Sequence, residues 1–153
     1  MLLVIRRFKK EDAERVSRLV TDTFIEFVSP SIPLESRIRY LENVTPEKVM
    51  ERSKTQDVYL ATEKDQIIGI ICGNKEIKCI SWLWVHKRYH KKGIARILVK
   101  GLESTYKRRG VKVLKVYSSE YAIGFYEKMG YRKTTGIRQR EGIVYQPMKK
   151  VLR

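Results

Sequence analysis

The run Val85-His86-Lys87-Arg88-Tyr89-His90-Lys91-Lys92-Gly93-Ile94-Ala95-Arg96 sets a glycine and a cluster of cations between a strand pattern and a helix pattern. Before it, Cys79 to Val85 read as a buried strand. After it, Ile94, Ile97, Leu98 and Leu102 keep a helical period up to a C-cap at Gly110. A strand that feeds a helix through such a turn leaves first-turn N–H groups unpaired at the positive end of the helix dipole. That is an anion site, suited above all to a diphosphate. Gly93 lets the backbone approach the anion, and the small Ala95 keeps the first turn uncluttered. One glycine is a weaker signature than a full phosphate loop, and an ordinary basic surface turn fits the same residues.

A second candidate follows some way on. Ser118-Ser119-Glu120-Tyr121-Ala122-Ile123-Gly124-Phe125-Tyr126-Glu127-Lys128-Met129-Gly130-Tyr131 comes directly after an apolar strand pattern, Val111 to Tyr117. It combines a hydroxyl at a helix start with a Phe-Tyr pair inside the helix. A phenol can donate a proton to a leaving group, and serine there can bond a ligand or cap the helix.

The elements that must position these residues alternate along the chain. Leu2 to Phe8 reads as a strand. Glu11 and Asp12 open a helix with Ala13, Val16, Leu19, Val20, Phe24 and Phe27 on one stripe. Ser29-Pro30-Ser31-Ile32-Pro33 breaks it, and Pro46 opens a short helix through Met50. Val58 to Thr62 and Ile67 to Cys72 form a hairpin about Glu63-Lys64-Asp65-Gln66. Strand 79–85, the helix to Gly110, strand 111–117 and helix 120–129 come next. Two strands near 131–138 and 143–150 close the chain, with their turn at Glu141-Gly142. No repeat or linker interrupts this, which predicts one domain over residues 1–153, an α/β sandwich about a mixed sheet.

Composition sets the bounds. Hydrophobic residues make up 42% of the chain, enough for a packed core. No apolar run approaches the roughly 20 residues of a membrane span. The N-terminal Met1-Leu2-Leu3-Val4-Ile5-Arg6-Arg7 has its apolar residues before its charges, the reverse of a secretory signal, so a cytoplasmic protein is expected. Cys72 and Cys79 are then expected to stay reduced, and His86 and His90 have no acidic or thiol neighbour to complete a metal site. With 33 basic residues against 17 acidic the net charge is +16, a field that draws in polyanions. Nucleic acid is among them, although no nucleic-acid-reading motif accompanies the charge.

The two motifs, in this order and at this distance, resemble the GCN5-related N-acetyltransferase (GNAT) superfamily over nearly the whole chain. The first matches R/Q-x-x-G-x-G/A with His90 in its first position, and the second A-x-x-F-Y-x-x-x-G-F/Y from Ala122 to Tyr131. The resemblance implies a mostly antiparallel sheet of six to seven strands flanked by helices. Its central strands, 79–85 and 111–117, splay apart to admit acetyl-CoA. Backbone groups of Leu83, Trp84 and Val85 would bond the pantetheine and acetyl carbonyl. Amides of Lys91, Lys92, Gly93, Ile94, Ala95 and Arg96 would hold the diphosphate, beside His90. Ser119, Phe125 and Tyr126 would line the pantetheine arm. Val85 N–H would meet the oxyanion, and Tyr126 would protonate the departing sulfur.

The implied reaction is direct attack by a primary amine of a small molecule or a protein. An amine of lysine type, with pKa about 10.4, arrives protonated and needs a base. Strand 79–85 offers no carboxylate, and Glu26, Asp57, Glu76 and His86 are candidates by position alone. The resemblance places the acceptor between Phe24 to Tyr40 and Ile137 to Tyr145, where Arg37, Arg39, Arg138 and Arg140 make the region basic, which suggests an acidic or carboxylate-bearing acceptor. Two rival readings stand beside the enzyme: a basic nucleic-acid-associated protein, and a CoA-binding module without catalysis. Either a monomer or a homodimer is compatible with the chain.

Overall fold

The Lys64-Asp65 turn closes the first hairpin. Both residues take positive φ, 49° and 65°, as tight two-residue hairpin turns require. The turn joins β2 (Gln56–Glu63) to β3 (Gln66–Asn74). β1 (Leu3–Arg7) pairs with β2, and β4 (Cys79–Val85) with β3, all antiparallel. The structure is a computed structural model describing residues 2–153; Met1, the first residue of the apolar N-terminal run, lies outside them.

Three helices cover one face: α1 (Ala13–Phe27), α2 (Leu34–Glu42) and α3 (Pro46–Thr55). The α1 stripe of Val16, Leu19 and Val20 packs with Val49 of α3 onto Leu60, Ile70 and Trp82. Thr45 caps α3, its hydroxyl oxygen accepting from Lys48 N–H at 3.3 Å, with Pro46 in the first turn. The other face carries α4 (Ile94–Arg108) and α5 (Ile123–Lys128). Here Ile94, Leu98, Val99 and Leu102 pack with Ile68, Ile71, Leu114 and Met148.

Because α4 carries the chain back across the sheet, β5 (Val113–Ser119) lies parallel to β4. They pair only at Cys79–Lys115 and Ile80–Val116, and beyond Ile80 they separate. β8 (Ile143–Val151) pairs with β5 along its length, and both β6 (Arg132–Lys133) and β7 (Arg138–Arg140) pair with β8. The order is β1-β2-β3-β4-β5-β8-β6, with β7 also on β8.

The mixed α/β sheet with parted central strands is the architecture expected from the sequence. It has eight strands and not six or seven, because the stretch read as one strand near 131–138 is two, β6 and β7. β5 runs two residues later than its pattern suggested, and α3 continues past Met50 to Thr55. Helix α2 had no counterpart in the sequence reading. Only Ser36 of its residues is buried, while Leu34 and Ile38 are exposed, so it carries no apolar stripe to detect.

Candidate active site

The turn after β4 builds an anion cradle from main chain. Lys91 and Gly93 both take positive φ, 63° and 81°, and Gly93 stands directly before α4. No side chain caps this fifteen-residue helix. Its ladder begins with Ile97 N–H donating to Gly93 O at 3.0 Å, so the N–H groups of Ile94, Ala95 and Arg96 have no intrahelical acceptor. A Cβ on Gly93 would meet nothing within 4 Å, so open space adjoins the cradle. Gly69 fixes the start of the helix: a Cβ there would lie 3.1 Å from Leu98 Cδ1 and 3.3 Å from Ile94 Cγ2.

The parting of β4 from β5 exposes a second set of backbone groups. His86 N–H donates to Ile68 O at 2.8 Å, toward β3. Since antiparallel ladders alternate, Leu83 and Val85 direct their N–H and C=O toward the gap. The Val85 carbonyl accepts from His90 Nε2 at 2.7 Å, which leaves the Val85 N–H as a donor toward the gap. A carbonyl oxygen only accepts, so that imidazole nitrogen carries the proton. The His90 ring also packs against Phe27, centroids 4.7 Å apart, and Phe27 against Tyr121 at 5.4 Å.

On the far side of the gap, Ser119 occupies the N-cap position of the 3-10 turn before α5, but its hydroxyl makes no capping bond. Tyr126 is buried, edge-on to Phe125 at 5.1 Å and to Tyr131 at 5.4 Å. Burial pushes its phenol well above the ordinary tyrosine value, so it holds its proton at neutral pH.

These pieces meet in one cleft of about 850 Å³. Every residue the resemblance assigns to the cofactor or to catalysis lines it except Lys92, whose ammonium lies 5.4 Å from the centre of the Tyr89 ring. The N-terminal helices supply a wall that motif reading did not assign: Thr23, Phe24 and Phe27 of α1, and Tyr40 of α2. Phe24 and Tyr40 stack at 4.2 Å, and Trp84 stands edge-on to both at 6.5 and 6.3 Å. Phe24, Phe27 and Tyr40 fall in the stretch 24–40 where the resemblance places the acceptor, although no motif singled out these rings.

The arginines that made the acceptor region look basic do not line the cleft. Arg37 Nε donates to Ile32 O at 2.9 Å, Arg39 pairs with Glu141 at 3.3 Å, and Arg138 Nε donates to Thr135 Oγ1 at 3.3 Å. Arg140 lies exposed in β7. Local bonds to backbone, to Thr135 and to Glu141 engage three of the four. The basic group therefore gives no reason to expect an acidic acceptor.

Nor do the four position-only base candidates line the cleft. Asp57 is buried, where it accepts from Arg109 at 2.9 and 3.2 Å and from Tyr106 Oη at 3.0 Å. Burial alone would raise its pKa, but those hydrogen bonds win and hold the carboxyl below its usual value. His86 Nδ1 accepts from Arg88 N–H at 3.1 Å. Glu26 and Glu76 are exposed. The carboxylate that does line the cleft is Glu120. Cys72 and Cys79 are free, buried thiols, pushed up by burial to about 12 and about 11.

An acetyltransferase (GNAT) domain family matches residues 13–152. The chain belongs to that family. Its members are acyltransferases that bind acetyl-CoA. A Bacillus subtilis (strain 168) protein, itself only provisionally named an acetyltransferase, is 34% identical over 95 residues, which is 62% of this chain and 60% of the relative. The chain thus matches less than two thirds of that relative's length. A GCN5-related N-acetyltransferase structure from Rhodopseudomonas palustris superposes with a TM-score of 0.86 at 22% identity, over 99% of both chains. The PaiA N-acetyltransferase of Thermoplasma acidophilum, solved with coenzyme A, gives 0.84 at 18% identity, again over 99% of both. At these identities the two structures establish the shared fold.

The cleft fits an acetyl-CoA-sized donor on its own chemistry. An uncapped helix N-terminus with Lys91 and Arg96 beside it suits a diphosphate. The free edge of β4 suits a chain of amides, and the cleft is open between them.

Proposed function

We propose that this chain is a single-domain, acetyl-CoA-dependent N-acetyltransferase acting on a primary amine by direct attack. One observation carries the reading: the gap between β4 and β5 and the uncapped N-terminus of α4 open into the same cleft, and both motifs line it. That the PaiA structure contains coenzyme A adds support.

When bound, acetyl-CoA supplies an activated acetyl thioester. In this reading the amides from Lys91 to Arg96 hold its diphosphate, and the Leu83 and Val85 backbone pairs with the pantetheine arm. Val85 N–H is the fixed donor for charge that develops on the carbonyl oxygen. Its position is set by the β3 pairing on one side and the His90 bond on the other. His90 serves here as a brace for β4 and the turn, in place of a charged phosphate ligand. Phe125 and Ser119 line the arm, and Tyr126 carries the proton for the leaving sulfur. Its raised pKa keeps the proton on the phenol and argues against a role as base.

The test is thermal unfolding with and without acetyl-CoA, followed by turnover with an amine panel, for the native chain and Tyr126→Phe. Ligand at ~100 times its Kd should stabilise the native chain by about 2.7 kcal/mol. Tyr126→Phe should keep that shift and lose about 10²-fold or more in kcat. Full turnover in the variant would remove the acid role. No thermal shift at millimolar acetyl-CoA would remove the enzyme reading altogether. A shift without turnover of any amine by the native chain would leave a cofactor-binding module.

A further inference from the structure

Every cleft-lining residue from α1, the turn after it, α2 and β4 is uncharged. The charged lining, Lys91, Arg96, Glu120 and Lys128, belongs to the turn before α4, to α4 itself and to the segment after β5. The wall opposite that charge is aromatic, and its rings are poorly disposed to cage a cation. Phe24 and Tyr40 each spend one face on the other, 4.2 Å apart and 9° from parallel. The Trp82 ring is already covered by the Arg52 guanidinium at 3.8 Å. Burial raises the Tyr40 phenol far above its ordinary value, so it provides no anion. An ammonium entering here would lose water, find no counter-ion on this wall, and sit in the field of a protein with net charge +16.

We propose, on the acetyltransferase reading above, that the acceptor is a weakly basic primary amine on a flat apolar body: an α-amino group beside an aromatic side chain. Such an amine titrates near 8, so roughly one molecule in ten is already neutral at pH 7. For an alkylamine of lysine type the fraction is roughly one in 2,500. A site with no base on its acceptor wall therefore selects the amine that needs the least help to lose its proton. The aromatic body lies in the cleft against the outer surface of the packed Phe24, Tyr40 and Trp84 rings. The indole N–H of Trp84 is buried and has no partner among the described residues, so this wall offers the acceptor ring surface and no exposed polar side-chain group from Trp84. In the reaction the amine nitrogen bonds to the acetyl carbon, the carbon–sulfur bond breaks, and the amine's second proton leaves to solvent as the sulfur is protonated.

The experiment compares phenylalaninamide, 2-phenylethylamine, alaninamide and a linear polyamine as acceptors, with acetyl-CoA binding followed in parallel by thermal shift. The first two share an aromatic body and differ in amine basicity; the first and third share the amine and differ in body. At pH 7, phenylalaninamide should exceed 2-phenylethylamine in kcat/KM by about tenfold or more, and the gap should narrow as pH rises toward 9. It should exceed alaninamide by a similar factor, and Trp84→Leu should shrink that second ratio while the acetyl-CoA shift persists. A phenylalanyl octapeptide identifies the source: faster than the amide, it marks a peptide terminus, and slower, a free small molecule. Preference for the polyamine or for 2-phenylethylamine at pH 7, with acetyl-CoA bound, overturns the acceptor assignment alone. No binding of acetyl-CoA overturns the assignment together with the enzyme reading.

Discussion

The end of the cleft at α4 is made largely of main chain, and the end at α1 and α2 almost entirely of side chains. At the first, a strand, a turn and a helix adjacent in sequence present N–H groups around Gly93 and along Leu83 to Val85. At the second, Phe24, Tyr40 and Trp84 arrive from three elements far apart in the chain and meet through ring packing. Backbone recognition depends on where a helix begins and tolerates changes of side chain. A packed aromatic wall depends on each ring. His90 stands where the family pattern has arginine or glutamine, and it bonds Val85 O.

The comparison can be broken at either end. The largest expected effect is Gly69→Val. Its added carbons have no room against Leu98 and Ile94, so the start of α4 must shift away from β3. Such overpacking costs about 1–3 kcal/mol in stability. It should also weaken acetyl-CoA binding by an order of magnitude, while acceptor KM at saturating cofactor stays within about twofold. Isothermal titration and steady-state kinetics separate the two; equal loss at both ends would mean that the ends are not independent.

Acid probes the other end. Asp12, at the entry to α1, is buried and accepts from Arg6 at 2.9 Å through both oxygens, from Arg15 at 2.9 Å and from Lys9 N–H at 2.8 Å. The Arg6 hydrogen bonds, against the cost of burial, lower its pKa to about 2. A carboxylate whose folded pKa lies below its unfolded one stabilises the fold above the unfolded value, near 4, and loses that contribution as pH falls toward 2. The native chain should therefore lose on the order of 2 kcal/mol over that window. Asp12→Asn should be weaker at pH 7 and flatter between pH 4 and 2, measured by urea unfolding at each pH.

The smallest effect concerns neighbouring lysines. Lys91 lines the cleft and Lys92 does not. Lys91→Ala should weaken acetyl-CoA binding severalfold at low ionic strength, an effect that fades as salt is added. Lys92→Ala should leave binding within about twofold at any salt. A matching loss in both would show that only the general field of the turn matters.

Much of the α4 end was legible because its parts are local. A buried strand pattern, a glycine, and a helical period starting at Ile94 fix the turn, and Ser119, Phe125 and Tyr126 sit at fixed offsets after the next strand. The misses share a cause. Lys91 and Lys92 are identical in type, yet only Lys91, which takes a positive φ, lines the cleft, and no composition reports that difference. Helix α2 buries only Ser36 and so leaves no period to find. Its place is held by tertiary bonds, the Ser36 hydroxyl to the Glu141 carbonyl and Arg39 to the Glu141 carboxylate.

By itself, then, the chain's order of residues determined an α/β sandwich about a mixed sheet, the glycine turn and helix start at Ile94, and the Phe-Tyr pair after the next strand. Each is written in spacings of a few residues, within reach of backbone geometry and dipoles. Only the tertiary structure decided that four arginines lie outside the cleft lining, that Asp57 serves Arg109 and Tyr106, and that α1, α2 and β4 together form an uncharged aromatic wall. Those outcomes depend on which distant partner satisfies each charge and which ring fills each gap, and packing settles them only once the sheet has brought the elements together.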